Sequence, residues 1–321
     1  MAPRCVVLDD YQNVALKMAD WSPVSSDLDI QVINRHLGAA EQVVEALREA
    51  TIVCLMRERT PLPRAVIEAL PNLKLIVTTG MYNASVDLDA AKERGILVCG
   101  TRGAGTPTAE LAIGLMLDLA RAISFENARL KAGEPWQTTI GRDLAGLTLG
   151  VLGLGKLGSR VARIAQAFDM KVIAWSQNLT PERCRDIGVE YVSKDGLFSR
   201  SDFVSIHLVL SARTRGLVGS AELGRMKPTA CLVNTSRGPI VDEGALIAAL
   251  QERRIAGAAL DVYDREPLPS DHPLRKLSNV VLTPHLGYVT EANYRVFYGD
   301  TVEDIRAWLD GKPVRIVTAN K

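Results

Sequence analysis

The sequence predicts an α/β protein that contains two doubly wound parallel-sheet domains. Short runs rich in Val, Ile and Leu alternate with longer helical patterns along the chain, which is typical of strand–helix–strand units that build a parallel sheet. The length of 321 residues corresponds to about two domains of roughly 150 residues each. A glycine-rich run over residues 100–107 separates two series of these units, and glycine permits the backbone angles that a change of direction needs. We therefore interpret this run as a crossover between the domains.

The first series of units precedes the glycine-rich run. Its apolar runs predict strands over residues 5–8, 30–33, 52–55, 73–77 and 96–99, with helices over residues 41–49 and 63–70. These elements suffice for a small doubly wound sheet. Its first strand is not followed by a glycine-rich phosphate loop.

The second series begins with a long helix. Thr106 is expected to cap this helix and Pro107 to occupy its first turn, where the missing N–H of proline is tolerated. Strands are then predicted near Leu149 and over residues 172–175, 203–208, 230–234, 256–262 and 280–282. A last helix is predicted over residues 291–309.

A G-x-G-x-x-G motif over residues 153–158 lies between a predicted strand and a predicted helix. Glycine is needed there for a tight turn, for close approach of the backbone to a pyrophosphate, and for packing of the helix on the strand. The anion would also meet free N–H groups and the positive end of the helix dipole. A plain tight turn is the alternative, but the flanking elements favour a dinucleotide site. The predicted phosphate contacts are Gly153, Gly155, Lys156, Leu157 and Gly158.

The end of the next predicted strand bears on the choice between NAD and NADP. A carboxylate usually stands there to bind the adenosine ribose, whereas this chain has Ser176 and Gln177, followed by Asn178. Without a negative charge a 2′-phosphate is not repelled, although the turn carries no arginine and Arg183 and Arg185 lie a few residues further on. Both cofactors stay open, and the missing carboxylate favours NADP. Ser176 and Gln177 are the predicted contacts.

Histidine is the most frequent acid or base at neutral pH, and the chain has four. His36 and His272 lie in polar stretches, and His207 falls within a predicted strand, where a structural or cofactor-lining role is expected. His285 follows an apolar run and so emerges at the carboxyl end of a buried strand, the edge at which ligands bind in open α/β sheets. We therefore predict His285 as the proton donor, and we include His207 and Thr214 among the cofactor contacts.

Arg237 and Glu266 reach the same edge of the predicted sheet, because each follows an apolar run that ends in polar residues. Arg237 offers paired donors to the carboxylate and the carbonyl of a 2-oxo acid. His285, as an imidazolium, can protonate the developing alkoxide while hydride arrives from a nicotinamide. Glu266 beside the other ring nitrogen would favour the protonated ring and fix its orientation. Each residue alone has an ordinary explanation, but the three together predict a catalytic set.

The composition excludes several other classes of protein. Lys plus Arg number 38 and Asp plus Glu 37, so the surplus of positive charge that nucleic-acid binding needs is missing. No stretch approaches the roughly 20 apolar residues of a membrane span, and the start lacks the apolar core of a signal peptide. The five cysteines are scattered and odd in number, which favours reduced thiols in a cytoplasmic protein over a disulfide framework or a metal site.

The motifs over residues 144–155, 233–238, 260–267 and 283–285 together resemble the D-isomer-specific 2-hydroxyacid dehydrogenases. The resemblance implies that Arg237, Glu266 and His285 are catalytic and that Asp261 holds the nicotinamide carboxamide. It implies a Rossmann nucleotide-binding domain (102–291) inserted into a flavodoxin-like substrate domain (1–101 and 292–321), and a homodimer built through the nucleotide domains. Glu266 stands where the formate-oxidising relatives carry Gln, which favours proton-coupled carbonyl reduction.

The substrate loop departs from the family pattern. Where relatives present Gly-x-Gly to the substrate carboxylate, this chain has Gly80, Met81 and Tyr82, so a bulky ring replaces the second glycine. The N–H groups of Met81 and Tyr82 can still bind a carboxylate, and Arg57 is a further candidate contact, with a solvated loop as the alternative.

Two functions are consistent with this sequence. The first is a reductase that transfers hydride from NAD(P)H to a small 2-oxo acid and yields a D-2-hydroxy acid. The second is a nucleotide-sensing binding protein on the same fold, like the co-repressors that resemble this family. The intact set of Arg237, Glu266 and His285 favours the enzyme, because a sensor has less need of a proton donor.

Overall fold

The computed structural model describes residues 2–318 and divides into two compact units. The discontinuous unit comprises residues 2–104 and 290–318, and the central unit comprises residues 105–289. The predicted junctions after residues 101 and 291 lie three and two residues from the junctions at 104 and 289.

The discontinuous unit is built on a parallel sheet of five strands in the order β2-β1-β3-β4-β5. This is the flavodoxin-like order. The strands β3 and β4 are almost wholly buried. Inner strands of a parallel sheet are covered by helices on both faces, and their sequences are therefore continuous apolar runs. The strands are β1 (Arg4–Val7), β2 (Asp29–Val32), β3 (Ala50–Leu55), β4 (Leu75–Thr78) and β5 (Leu97–Gly100). The helices before the crossover are α1 (Ala15–Met18), α2 (Ser22–Ser25), α3 (Ala40–Leu47), α4 (Arg64–Glu68) and α5 (Leu88–Glu93).

The central unit is built on a parallel sheet of seven strands in the order β12-β11-β10-β9-β6-β7-β8. Read from β8, this is the Rossmann order 3-2-1-4-5-6 with one further strand at the far edge. The strands are β6 (Thr148–Leu152), β7 (Lys171–Trp175), β8 (Glu190–Tyr191), β9 (Phe203–Ile206), β10 (Cys231–Asn234), β11 (Gly257–Leu260) and β12 (Val280–Leu282). The helices are α6 (Pro107–Arg121), α7 (Ile123–Lys131), α8 (Lys156–Ala167), α9 (Pro181–Arg185), α10 (Lys194–Arg200), α11 (Ser220–Arg225) and α12 (Glu243–Gln251), with 3-10 turns at Gly238–Ile240 and Pro273–Lys276.

The last helix, α13 (Glu291–Leu309), returns the chain to the discontinuous unit. Its buried face includes Tyr294, Phe297 and Ile305, and Thr290 caps its first turn by accepting from the N–H of Asn293. Two parallel sheets, with the central unit inserted in the chain of the other, confirm the predicted fold class.

Local details at Thr106 and His207 differ from the predictions. Thr106 occupies the N-cap position of α6, but its side chain makes no capping hydrogen bond. His207 lies one residue beyond the end of β9 and not within the strand, because the pairing of β9 with β6 and β10 ends at Ile206.

Candidate active site

The three glycines of the phosphate loop have three different surroundings. Gly153 has a φ of +103°, which favours glycine, and a Cβ there would lie 2.7 Å from the carbonyl oxygen of His207. A Cβ on Gly158 would overlap the carbonyl oxygen of Gly153. Gly155, the N-cap residue of α8, has nothing within 4 Å of its Cβ position. The outer glycines therefore permit tight packing, and the middle one leaves open space at a helix N-terminus, as a bound pyrophosphate requires.

The predicted ribose contacts follow β7. Trp175 accepts a hydrogen bond from the N–H of Gly153 at 3.0 Å, so the end of β7 is joined to the glycine loop. Ser176 begins a turn, its carbonyl accepting from the N–H of Leu179 at 3.1 Å, and Gln177 is exposed. The sheet order places β7 and β9 on opposite sides of β6, which is the switch point at which doubly wound sheets bind nucleotides.

His207 and Thr214, the two remaining predicted cofactor contacts, differ in what the structure shows. The backbone of His207 lies against Gly153, and its Nε2 atom lies 2.9 Å from the hydroxyl of Ser205. Desolvation lowers the pKa of His207 to about 4, so the ring is neutral at pH 7. Thr214 uses its hydroxyl within its own loop, donating to the carbonyl of Val209 and accepting from the N–H of Ser211.

Glu266 and His285 form a close pair beyond the carboxyl ends of β11 and β12. Oε2 of Glu266 lies 2.6 Å from Nδ1 of His285. The other carboxylate oxygen accepts from the backbone N–H of Tyr263 at 2.9 Å. Glu266 is therefore fixed at both oxygens, and it holds the imidazole through one nitrogen.

The loop that carries His285 is held by Asp261. This side chain has 0% exposure, and burial raises its pKa while hydrogen bonds, first that from Thr283, partly lower it. Oδ1 accepts from the hydroxyl of Thr283 at 2.6 Å and from the N–H of Leu286 at 2.7 Å, and Oδ2 accepts from the N–H of Gly287 at 2.8 Å. These donors lie on both sides of His285, whose φ is +55°. A left-handed conformation is costly for a residue other than glycine, and this set of bonds stabilises it.

Sequence reasoning missed two neighbours of His285. The hydroxyl of Tyr263 donates towards the carbonyls of Leu260 and Thr283, at 3.0 and 2.9 Å, and so links the ends of β11 and β12. The ring of Tyr288 packs edge-on against His285, with 5.5 Å between the ring centroids. The one signal for Tyr263 in the sequence is that it lies in the same motif as Glu266.

Arg237 follows β10 on the neighbouring strand. Its carbonyl accepts from the side-chain amide of Asn234 at 3.0 Å, and its Nη1 donates to the carbonyl of Ser236 at 2.8 Å. A Cβ on Gly238 would overlap the backbone of Tyr263. The segment at Arg237 therefore packs directly on the loop that leads to Glu266.

The predicted substrate contacts form a separate group in the discontinuous unit. The N–H of Arg57 donates to the hydroxyl of Thr79 at 2.8 Å, and its Nη1 donates to the carbonyl of Thr79 at 3.0 Å. The guanidinium covers Gly80, whose φ is +88° and whose N–H donates to the hydroxyl of Thr101. Gly80 thus uses its N–H inside the protein. The N–H groups of Met81 and Tyr82 donate to no acceptor among residues 2–318.

The described residues also bear on metal binding and on membrane association. Within the described range 2–318, no three His, Cys, Asp or Glu side chains are grouped so as to hold a metal ion. No helix in that range has the length and apolar character needed to cross a bilayer.

Comparison with known proteins gives a consistent result. Residues 113–287 match the family model for the NAD binding domain of D-isomer specific 2-hydroxyacid dehydrogenases. A D-3-phosphoglycerate dehydrogenase of Synechocystis is 40% identical over 98% of this chain, which spans 57% of that relative's length. A glyoxylate reductase of Aeropyrum pernix is 38% identical, over 97% of this chain and 94% of its own. The crystal structure of a phosphoglycerate oxidoreductase from Vibrio cholerae superposes with a TM-score of 0.92 at 34% identity, covering 97% of this chain and 100% of that one.

Proposed function

The chain belongs to the D-isomer specific 2-hydroxyacid dehydrogenase family, and on that premise we propose that it reduces a small 2-oxo acid to a D-2-hydroxy acid with NAD(P)H. The contact of 2.6 Å between Glu266 and His285 carries this proposal. With Nδ1 facing the carboxylate, Nε2 of His285 is the nitrogen left to give a proton to the developing alkoxide. Glu266 stabilises the imidazolium through its opposite charge and fixes the plane of the ring.

Arg237 completes the proposed catalytic set. Its guanidinium supplies forked donors to the substrate carboxylate and carbonyl, which orients the carbonyl carbon and withdraws charge from its oxygen. Asp261 acts on the same site through the loop of His285, and we propose that it also faces the nicotinamide carboxamide.

The residues around the glycine loop fit a dinucleotide. Open space at Gly155 and the N-terminus of α8 suit a pyrophosphate, with Lys156, Leu157 and Gly158 in the first turn. When bound, the reduced nicotinamide supplies the hydride. Ser176 and Gln177 bring no carboxylate to the ribose, which supports a preference for NADP; His207 and Thr214 are proposed as further contacts.

For the substrate we propose contacts in the discontinuous unit. The adjacent N–H groups of Met81 and Tyr82 suit one carboxylate, and Arg57, above Gly80, adds positive charge beside them.

We further propose a homodimer formed through the central unit. Helix α7 buries none of its residues. It is bonded to the loop that follows it, because Oε1 of Glu126 accepts from the hydroxyls of Thr138 and Thr139. Exposed apolar side chains lie on this helix and the following loop, where Trp136 is 75% and Ile140 100% exposed. An exposed apolar patch of this kind marks a protein interface. The remaining members of the patch are Ile123, Phe125 and Leu130.

A cytoplasmic location is part of the same proposal. All five cysteines are buried, as expected for inert thiols in a reducing compartment. The nucleotide-sensing alternative is not favoured, because the named relatives are a dehydrogenase and a reductase.

The proposal is tested by turnover. The purified protein is mixed with glyoxylate, hydroxypyruvate, pyruvate or phenylpyruvate and with NADH or NADPH, and nicotinamide absorbance is followed. His285→Ala should abolish turnover while cofactor affinity stays nearly constant. His272→Ala is the matched control, because His272 also pairs with a carboxylate, that of Glu243, at 3.1 Å. If no pair of substrate and cofactor is turned over although the cofactor binds tightly, the proposal of an enzyme is contradicted. If His285→Ala loses turnover and cofactor affinity equally, the role of His285 is structural.

A further inference from the structure

We infer that the preferred substrate is a 2-oxo monocarboxylic acid with a bulky apolar side chain, which contacts Met81 and Tyr82. This inference rests on the proposed dehydrogenase function and narrows its substrate class. It is carried by the loop after β4, residues 79–83, and by its neighbours at the carboxyl edge of the five-stranded sheet.

The loop after β4 is rigid at its base. The side-chain amide of Asn83, which is buried, donates to the carbonyl of Arg57 and to the hydroxyl of Thr78, both at 2.8 Å. Its carbonyl oxygen accepts from the N–H and the hydroxyl of Ser85. A Cβ on Gly100 would lie 3.1 Å from Cα of Met81, so the backbone of the loop is also packed against β5. The loop is therefore preformed and held in one conformation.

This fixed loop presents two kinds of surface side by side. The adjacent N–H groups of Met81 and Tyr82 donate to no acceptor within the described part of the chain, and two such groups suit one carboxylate. The side chains of the same two residues are 49% and 57% exposed. The thioether of Met81 and the phenol ring of Tyr82 lie next to this carboxylate site and offer apolar surface to the side chain of the substrate. Glyoxylate has no side chain that uses this area.

The charges at the same edge argue against a phosphate-bearing substrate. Arg57 is engaged by the carbonyl of Thr79, and its Nε lies 3.7 Å from the carboxylate of Glu58. Arg59 donates to the carbonyl of Asp9, and its guanidinium lies 4.6 Å from the ring centroid of Tyr11.

These two guanidinium groups share the loops after β1 and β3 with the carboxyl groups of Asp9, Asp10 and Glu58. A phosphate brings about two further negative charges, and these two loops, with two arginines and three carboxyl groups, have no surplus of positive charge to receive them. A single carboxylate with an apolar remainder fits both the charge and the exposed surface.

The experiment compares kcat/KM for glyoxylate, pyruvate, 4-methyl-2-oxopentanoate, phenylpyruvate and 3-phosphohydroxypyruvate, each with the better cofactor. We expect phenylpyruvate and 4-methyl-2-oxopentanoate to exceed glyoxylate and 3-phosphohydroxypyruvate by about tenfold or more, the scale on which apolar pockets discriminate. Preference for glyoxylate or for the phosphate overturns the inference.

Three variants locate the effect. Tyr82→Ala should lower the ratio of kcat/KM for phenylpyruvate over glyoxylate by about tenfold, and Tyr82→Phe should keep this ratio, because the ring and not the hydroxyl makes the contact. Tyr191→Ala, at an exposed tyrosine of β8 in the other unit, is the control and should not change the ratio. An unchanged ratio in Tyr82→Ala overturns the inference. If no substrate is turned over, the dehydrogenase proposal fails, and calorimetry of phenylpyruvate and glyoxylate binding decides the inference separately: equal affinity refutes it.

Discussion

Glu266 contacts His285 through one carboxylate oxygen, at 2.6 Å, while its other oxygen is held by the N–H of Tyr263 at 2.9 Å. An anion clamped in this way has one orientation in which to meet the ring. Glu266 therefore sets both the charge beside the ring of His285 and the orientation of that ring.

Replacing Glu266 by Gln should separate these two effects. The amide keeps the size of the side chain and can still face Nδ1, but it no longer stabilises the imidazolium. We expect kcat for reduction to fall by about a hundredfold. The measurement is kcat for reduction; a Glu266→Gln enzyme with the kcat of wild type would show that Glu266 acts by orientation alone.

The glycine loop offers a matched pair of variants. Gly158→Ala places a Cβ against the carbonyl oxygen of Gly153, and we expect it to destabilise the fold by about 3 kcal/mol. Gly155→Ala meets open space, and its φ of −77° is ordinary, so the melting temperature should stay within about 1 °C of wild type. Its cofactor affinity should nevertheless fall about tenfold, since the methyl group occupies the path of the phosphates. Calorimetric melting and cofactor titration measure the two effects; a Gly155→Ala protein with wild-type affinity would move the pyrophosphate site elsewhere.

The proposed interface predicts a change in assembly. Leu130→Asp places a charge in the exposed apolar patch of residues 123–140, and desolvating that charge in an interface is costly. We expect the dimer to dissociate, with an apparent Kd raised at least a hundredfold in sedimentation velocity. Leu16→Asp, at an equally exposed leucine of α1, is the control and should leave the mass unchanged. Dissociation by both variants, or by neither, counts against this face.

Asp304 on α13 predicts a pH dependence of stability. Burial raises its pKa from 3.8 to about 7, and Arg315, with Nε at 3.0 Å, opposes part of that rise while Asp300 and Glu303 add to it. Between these values the folded protein binds a proton that the unfolded chain has lost, so stability falls as the pH rises from about 5.5 to 7.5. This one group contributes about 2 kcal/mol to that fall. In Asp304→Asn the fall should be smaller by that amount in urea titrations at the two pH values. An equal fall in both proteins would mean that Asp304 stays ionised.

The sequence predicts those helices and strands that carry a pattern of apolar residues. The predicted limits of α13 and β12 agree with the structure, because an apolar face and a buried run define them. The strand β8 was missed, since its two residues are exposed and pair with β7 through the backbone. Helix α7 was missed for the related reason that it buries no residue in this unit and so lacks helical periodicity.

The same limit applies to the site. The motifs and the edge rule brought out Glu266 and His285, which depend on residue type. The bonds of Asp261 to the backbone N–H groups of Leu286 and Gly287 could not be foreseen, because any residue supplies an N–H and only the path of the chain decides which carboxylate it meets. The N–H groups of Met81 and Tyr82, which meet no acceptor among residues 2–318, differ from that of Gly80 for the same reason.

The chain order has a consequence for biosynthesis. The central unit is continuous in sequence and is complete once residue 289 has been made. The other unit waits for α13, whose Tyr294, Phe297 and Ile305 fill its interior. On a ribosome the nascent chain therefore carries about a hundred early residues with an incomplete core while the middle of the protein can already fold. The segment that precedes the central unit therefore completes its fold after that unit, and its exposed strands are where a chaperone would act.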